Sequence, residues 1–320
     1  MAPSTRTDRV MAAPLVPVNV DNPLLEPYRT GSYLVYDAPD DTPGKLAHFR
    51  SGRTLTEHVF NASGSHQLDT KRLVEILKLE VVARYHPTNI FLVGLREETH
   101  GFLEGRAVSW YADNDFANVG QPLRWIMADE ACRLALVQQQ PSTRVFAIET
   151  DSADNREQDR KKPTCYQDIA VAKAETEEMV SRGLGAEVGC PVTYVRIPVT
   201  DHCAPTQAAL EQLRKDVWGK VSSNSWVHFH CHGGDGRTTT FLALYDMLCW
   251  KPKASLPSLE VFACRQCELF TYYLDPKGGG CGKCTPKPIT KATLWKLPLA
   301  EQRWAVLEAF RNDPTGGLAR

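Results

Sequence analysis

The sequence predicts an α/β fold in which a central, mostly parallel sheet is flanked by helices, because short β-favouring apolar runs alternate with longer amphipathic segments. The first of these alternations is a strand at 33–36 and a helix at 68–85, with Leu73, Ile76 and Leu77 on one face. The remaining strands are expected at 90–95, 145–148, 192–197 and 227–231. The remaining helices are expected at 123–140, 164–182, 205–221, 238–248, 256–274 and 299–310.

Composition and charge narrow the function classes. The 320 residues are 42% hydrophobic and 23% charged, which is ordinary for a globular protein able to bury a large core. A net charge of −1 argues against broad binding to nucleic acid or to an anionic membrane. No apolar run reaches bilayer-spanning length, and Pro14 and Pro17 interrupt the only leader-like stretch. Any polyanionic ligand must therefore be met by a local basic pocket.

Residues 1–30 lack apolar periodicity and are expected to form a mobile N-terminal arm. The rest of the chain, 31–320, is expected to form one catalytic domain, with a charged, solvated loop at 151–162. The sequence leaves the oligomeric state open.

The segment that carries most chemical information begins at Cys231, directly after the strand at 227–231. The loop between it and Arg237 is His232-Gly233-Gly234-Asp235-Gly236, and Thr238 opens a helix. Backbone N–H groups of such a loop and the positive end of a helix dipole stabilise both a thiolate and a phosphate dianion. The planar guanidinium of Arg237 can hold two phosphate oxygens. The segment resembles the phosphate-binding loop of the cysteine-dependent phosphatases of the protein tyrosine phosphatase superfamily; a buried structural cysteine is the alternative.

Three further motifs resemble the protein-tyrosine-phosphatase-like phytases, which act on inositol polyphosphates. Asp201-His202-x-x-Pro205-Thr206 follows the strand at 192–197, where that superfamily carries its general acid. Residues 47–51, Ala-His-Phe-Arg-Ser, are similar to an early Phe-Arg motif, and residues 95–102 are similar to the Leu-Arg-x-Glu-x-His-Gly-Phe element. The resemblance implies a protein-tyrosine-phosphatase-like fold and a phosphomonoesterase that needs no catalytic cofactor.

Roles follow from the resemblance residue by residue. Cys231 is implied as the nucleophile, Arg237 as the phosphate clamp, Asp201 as the general acid and Thr238 as the group that stabilises the departing thiolate. The other implied substrate-binding residues are His232, Gly233, Gly234, Asp235, Gly236, His202, His100, Arg50, Lys287 and Lys291, with Lys283 as a further candidate. For His100 and His202 a packing role stays open. For Arg96 a buried ion pair with Glu97 or Glu98 is an equal alternative to phosphate binding.

Asp235 departs from the family pattern, because an acidic loop residue should repel a polyphosphate unless its side chain points away. Two alternatives therefore remain beside an inositol polyphosphatase: a protein tyrosine or dual-specificity phosphatase, and a catalytically weak module that only binds inositol phosphates.

Two Cys-x2-Cys pairs, Cys264/Cys267 and Cys281/Cys284, are separated by 13 residues, the last three of which are glycines. Four thiolates in that arrangement can form a structural zinc site. Buried helix cysteines or oxidised pairs are the alternatives. A thiolate nucleophile requires a reducing compartment, so we expect the cytoplasm. The N-terminal arm also permits a second location, a host cytoplasm into which the protein is delivered, as is known for some members of the family that the sequence resembles.

Overall fold

The computed structural model describes residues 33–37, 48–112, 116–148, 163–251, 256–276 and 294–316. The eleven strands in these ranges are β1 Tyr33–Tyr36, β2 Arg50–Ser51, β3 Ala62–His66, β4 Asn89–Arg96, β5 His100–Leu103, β6 Arg106–Tyr111, β7 Thr143–Ile148, β8 Pro163–Ile169, β9 Ala174–Glu175, β10 Val192–Val199 and β11 Ser225–Cys231. Residues 1–30 and the predicted loop at 151–162 lie outside the described residues.

The helices in the described ranges are α1, a continuous run of Thr70–Ile76, Leu77–Val82 and Ala83–Tyr85; α2 Leu123–Gln138; α3 Glu177–Val188; α4, comprising Gln207–Gln212 and Leu213–Trp218; α5 Gly236–Cys249; α6 Leu259–Leu269; and α7 Leu297–Asn312. The helix predicted at 256–274 is thus shorter at both ends. None of the helices in the described ranges has the length and apolar character needed to cross a bilayer.

A five-stranded sheet with the order β10-β4-β11-β3-β2 forms the centre of the fold, and its first four strands are parallel. This confirms the predicted mostly parallel sheet. The carboxyl ends of parallel strands lie at one edge, and the register there pairs Cys231 with His66 and His230 with Gly94. The loops that follow β3, β4, β10 and β11 therefore meet at that edge, which is where such sheets place ligands.

Helices cover both faces of this sheet. On one face α4, α5, α6 and α7 enclose the largest hydrophobic cluster, which includes Phe229, Phe241 and Phe262, all fully buried. On the other face α1 and α3 pack against β4 and β11 around Trp226. Burial on both sides explains why β11 is uniformly buried and is so easily recognised in the sequence.

A second, six-stranded sheet with the order β8-β7-β1-β6-β5-β9 was not foreseen. It is antiparallel except where β1 meets β7, and α2 packs against it. Its β5–β6 hairpin turns at Glu104 and Gly105, with φ of 51° and 79°. A two-residue turn with both φ positive favours Asn-Gly or Asp-Gly, so Glu at the first position gives a weak signal.

The prediction of a helix at 164–182 is wrong. The segment holds β8, which pairs antiparallel with β7 as an edge strand, then β9, and only then α3, which begins at Glu177. Pairing with β7 determines the structure of β8, and that information is not local. The start of α3 does have a local signal: Thr176 accepts a hydrogen bond from the Met179 amide, and Glu177 and Glu178 favour the positive helix end.

Candidate active site

The loop at the end of β11 is compact. Cys231 is 2% exposed, and the next residues turn into α5 at Gly236. Gly234 adopts φ +72°, and a Cβ there would lie 2.5 Å from the His66 amide nitrogen. Only glycine combines that left-handed conformation with so close an approach to β3. His232 anchors the start of the loop, since its carbonyl accepts the Gln67 N–H at 3.0 Å.

Thr238 stands directly behind the thiol. Its hydroxyl lies 3.1 Å from Cys231 Sγ and 3.3 Å from the Ser65 carbonyl oxygen. Thr238 is fully buried, so water does not compete for the hydroxyl. The hydroxyl can donate to a thiolate, which is the geometry that its predicted role requires.

Arg237 is paired with Glu98, which was predicted only as a partner of Arg96. The two terminal nitrogens of Arg237 donate to the two Glu98 carboxylate oxygens at 2.6 and 2.9 Å, and Nη1 also reaches the Val199 carbonyl at 3.2 Å. A guanidinium has five N–H donors. Three are engaged here, which leaves the Nε–H and one Nη2–H as the donors available to an anion.

Asp201 occupies the side of Arg237 that those donors face. Its Oδ1 lies 3.1 Å from Arg237 Nε, although that nitrogen has no well-directed hydrogen bond. Burial alone would raise the pKa of Asp201, but the charges of Arg237 and His202 outweigh it and hold the pKa below its ordinary value. The carboxylate therefore takes the place of an anion beside Arg237 and is ionised at neutral pH.

A chain of buried charges fixes Arg237 from behind. Glu98 accepts a 2.8 Å bond from Arg96 Nε, and Arg96 Nη1 donates to Asp37 at 2.7 Å. Burial would raise the pKa of Glu98, but Arg237 and Arg96 hold it well below its usual range. Asp37 lies 3.4 Å from His232 Nε2. Arg96 is thus a buried ion-pair residue, which was one of its two predicted alternatives, and it does not face a ligand.

Arg50 lies close to Cys231 and has no carboxylate within ion-pair distance in the described part of the chain. It is 4% exposed, donates to Thr239 Oγ1 at 2.8 Å and to the His48 carbonyl at 3.0 Å, and lies over the Phe270 ring at 4.6 Å. Burial lowers its pKa to about 10, opposed by the charges of Cys231 and Asp235. Arg50 stays protonated at neutral pH and adds positive potential beside the loop.

Asp235 lies beside His48, which was not predicted as a site residue. His48 Nδ1 lies 3.0 Å from the Gly233 carbonyl oxygen and 3.3 Å from Asp235 Oδ1. The Asp235 carboxylate, acting as a hydrogen-bond acceptor for the ring, raises the pKa of His48. Asp235 therefore has beside it a histidine whose protonated form it favours, and protonation of His48 would reduce the repulsion expected between Asp235 and a polyphosphate.

The two remaining histidine candidates differ. His202 lies on the turn of Asp201, with Nε2 3.3 Å from Asp201 Oδ2 and its ring edge-on to Trp295. His100 is 1% exposed, and its ring nitrogens lie 2.9 Å from the Glu98 carbonyl oxygen and 3.3 Å from Glu177 Oε2. The structure brings His202 to the mouth of the site and places His100 beneath it.

The cysteine-rich region is described only in part. Cys264 and Cys267 lie one turn apart on α6, whereas Cys281, Cys284, Lys283, Lys287 and Lys291 lie outside the described residues. Cys267 is disulfide-bonded, and a disulfide sulfur cannot serve as a thiolate ligand, so Cys267 does not fit the predicted zinc site. A disulfide is also unusual in the reducing compartment that the sequence favours. Within the described ranges no cluster of three or more metal-ligating side chains occurs.

The fold and the site together define a protein of the cysteine-dependent phosphatase class: a strand-end cysteine, a glycine loop, a buried arginine and a carboxylate that share one sheet edge. The family model of the PTP-like phytases, described as "Inositol hexakisphosphate", matches residues 93–249, which include Glu98, Asp201, Cys231 and Arg237. Residues 93–249 of the chain belong to the PTP-like phytase family. Cysteine phosphatases of this family need no cofactor for catalysis.

Similar proteins span different lengths. A PTP-like myo-inositol phosphatase of Mitsuokella multacida, solved in complex with myo-inositol-(1,3,4,5)-tetrakisphosphate, matches with a TM-score of 0.69 and 25% identity, over 90% of this chain and 47% of that one. A PTP-like phytase of Bdellovibrio bacteriovorus matches with a TM-score of 0.60 and 29% identity over 91% of both chains. Effector protein hopD2 of Pseudomonas syringae pv. tomato is 24% identical over 87% of this chain and 56% of its own length. The chain thus spans about half the length of two of these relatives.

Proposed function

We propose that this protein hydrolyses phosphomonoesters of inositol polyphosphates through a phosphocysteine intermediate. The observation that carries the proposal is the convergence of Cys231, Thr238, Arg237 and Asp201 at the carboxyl edge of the parallel sheet, with Thr238 Oγ1 3.1 Å from Sγ and Asp201 3.1 Å from Arg237 Nε. The family membership and the inositol tetrakisphosphate bound to the Mitsuokella relative support it.

In the first step the Cys231 thiolate attacks phosphorus, and the bond from phosphorus to the substrate oxygen breaks. The two free N–H donors of Arg237 bind two phosphate oxygens in place of the Asp201 carboxylate. Because Glu98 already holds the Nη1 and Nη2 end of the guanidinium, binding at the adjacent Nε and Nη2 edge requires little reorientation of that side chain. Preorganised donors of this kind are more effective than donors that must reorient during the reaction.

Asp201 then protonates the departing oxygen. Its pKa lies below its ordinary value because Arg237 is beside it, so the free enzyme holds a carboxylate rather than an acid. A bound phosphate dianion takes over Arg237 and places negative charge near Asp201, and both changes raise its pKa. The proton that Asp201 transfers is thus taken up when substrate binds, and it comes from the phosphate monoanion or from water.

In the second step water attacks the phosphocysteine, Asp201 accepts a proton from that water, and the bond from sulfur to phosphorus breaks. The thiolate that leaves is stabilised by the Thr238 hydroxyl. Phosphate departs, Asp201 releases the proton to solvent, and its carboxylate returns to Arg237. Every group needed for both steps is therefore supplied by the chain.

Substrate preference rests on charge around the loop. Arg50 is a buried cation with no carboxylate partner in the described residues, and His48 lies 3.3 Å from Asp235 Oδ1, where it offsets that carboxylate when it is protonated. A ligand with several phosphates gains more from such surroundings than a single phosphotyrosine does. The position of His48 beside Asp235 also weakens the argument for a protein that binds inositol phosphates without hydrolysing them, because that argument depended on an acidic residue with no compensating partner.

The chain is further proposed to act in a cytoplasm, either that of its own cell or that of a host after delivery. The similarity to effector protein hopD2 supports delivery. Deletion of residues 1–30 should then abolish export while phosphatase activity of the purified protein is retained; unchanged export would refute this part of the proposal.

The central experiment compares phosphate release from inositol hexakisphosphate with release from a phosphotyrosine peptide at equal enzyme concentration. Inositol hexakisphosphate should be the better substrate, Cys231→Ser should release no phosphate, and Asp201→Asn should be slower by on the order of 10²-fold or more. Preference for the peptide would instead identify a protein tyrosine phosphatase. Calorimetric binding of inositol phosphates without any release would identify a binding module.

A further inference from the structure

The turn that carries Asp201 is tethered to the last helix by Arg303. Arg303 Nη2 donates to the His202 carbonyl at 3.1 Å, and Nη1 donates to the Tyr272 hydroxyl at 2.8 Å. Arg303 is 6% exposed, its Nε has no hydrogen-bond partner, and no carboxylate in the described ranges forms an ion pair with it. A buried guanidinium so sparsely compensated is costly, which calls for a reason beyond packing.

The His202 backbone needs such a tether. The turn is closed by a 3.2 Å bond from the Cys203 N–H to the Thr200 carbonyl, and His202 sits at φ +62°. That left-handed region favours glycine or asparagine, so histidine there is strained. Strained residues persist where the surroundings hold them, and they cluster at functional sites. Arg303 holds the carbonyl of the strained residue itself.

Arg303 also touches the phosphate loop. A Cβ at Gly236 would lie 2.9 Å from Arg303 Nη1 and 3.1 Å from the Tyr272 hydroxyl oxygen. Glycine at the first position of α5 therefore lets Arg303 and Tyr272 lie directly against the loop that holds Cys231. One guanidinium thus contacts both the acid-bearing turn and the nucleophile-bearing loop.

We propose that Arg303 is a positioning residue that fixes the Asp201 turn relative to the phosphate loop, so that the Asp201 carboxyl meets the leaving oxygen. This rests on the proposed function of Asp201 as general acid. Arg303 itself touches no reacting atom. Its removal should therefore impair proton transfer to the leaving group far more than attack by the thiolate.

The test uses leaving groups of different basicity. Phenyl phosphate and inositol hexakisphosphate need a proton on the departing oxygen, whereas p-nitrophenyl phosphate needs it little. Arg303→Ala should lower kcat/KM, which reports the step in which the leaving group departs, by on the order of 10²-fold on the two demanding substrates, with little change on p-nitrophenyl phosphate. In an Asp201→Asn background Arg303→Ala should add no further loss, because the group it positions has been removed.

Controls separate positioning from folding. Arg311 lies on the same helix and also donates to a backbone carbonyl, that of Pro257 at 3.2 Å, so Arg311→Ala should leave the ratio of the two aryl substrates unchanged. If Arg303→Ala does not fold, Arg303→Lys and Tyr272→Phe should show the same leaving-group dependence more weakly. Equal losses of kcat/KM on all substrates, or additive losses with Asp201→Asn, would overturn the proposal. A wrong substrate assignment would appear separately, as wild-type enzyme that ignores inositol hexakisphosphate but cleaves phenyl phosphate.

Discussion

Glu98 is the residue whose removal should disturb this protein most. It is 1% exposed and neutralises two buried arginines, with bonds of 2.8 Å from Arg96 and of 2.6 and 2.9 Å from Arg237. Glu98→Gln keeps the shape and removes the charge, which leaves two guanidinium groups with one fewer anion between them. Breaking a buried pair in this way costs about 3–5 kcal/mol, a large part of the stability of a typical domain.

The assay is urea unfolding of the wild type and Glu98→Gln, followed by tryptophan fluorescence. Glu75→Gln is the matched control, because Glu75 also accepts a 2.5 Å bond from an arginine, Arg72, but its side chain is 48% exposed. An exposed pair contributes about 0–1 kcal/mol. The pKa of Glu98 is held well below its ordinary value, so its contribution is present above about pH 4.3 and is lost as the pH falls further. A Glu98→Gln protein within about 1 kcal/mol of the wild type at pH 7 would refute the reasoning.

Three further predictions follow from the same geometry. Gly234→Ala should lower the free energy of unfolding in urea by at least about 1–2 kcal/mol, since the φ of Gly234 is +72°. Gly233→Ala should unfold like the wild type, because a Cβ at Gly233 would meet nothing within 4 Å. Thr238→Ala should slow phosphocysteine hydrolysis roughly 10-fold or more in single-turnover kinetics, because a hydrogen bond to a charged group contributes about 1.5–3 kcal/mol; an unchanged rate would contradict its role. Burial lowers the pKa of His228 to about 3 and that of His230 to about 4. Because both side chains stay neutral in the folded protein while they become protonated in the unfolded chain, each should cost about 2 kcal/mol of stability at pH 5 relative to pH 8. A flat stability profile across that range would show that the two histidines are not buried in the neutral form.

The parallel sheet and its loop were predictable because their signals are local. A strand buried on both faces is a continuous apolar run, and Cys231, the glycines and Arg237 follow it within a few residues. The second sheet was not predictable in the same way. The structure of β8 depends on its pairing with β7, and the hairpin between β5 and β6 turns at Glu104, a residue type that is unusual there.

The partners of the site residues were also hidden. Glu98 pairs with Arg237 across 139 positions of sequence, and His48 meets Asp235 only because β2 joins the edge of the sheet. Glu98 did have one usable signal, since it occupies the glutamate of the Leu-Arg-x-Glu element. His100, in the same element, shows the limit of such signals, because the fold buries it beneath the site.

The central claim is that inositol polyphosphate hydrolysis passes through a phosphoryl group on Cys231. It is tested most directly by mixing enzyme with inositol hexakisphosphate, quenching in acid within one turnover and locating the phosphoryl group by peptide mass spectrometry. We predict a phosphoryl group on the peptide that contains Cys231, in larger amount for Thr238→Ala and absent for Cys231→Ser. Phosphate release with no phosphoryl group on Cys231 in either the wild type or Thr238→Ala, or turnover by Cys231→Ser, would contradict it.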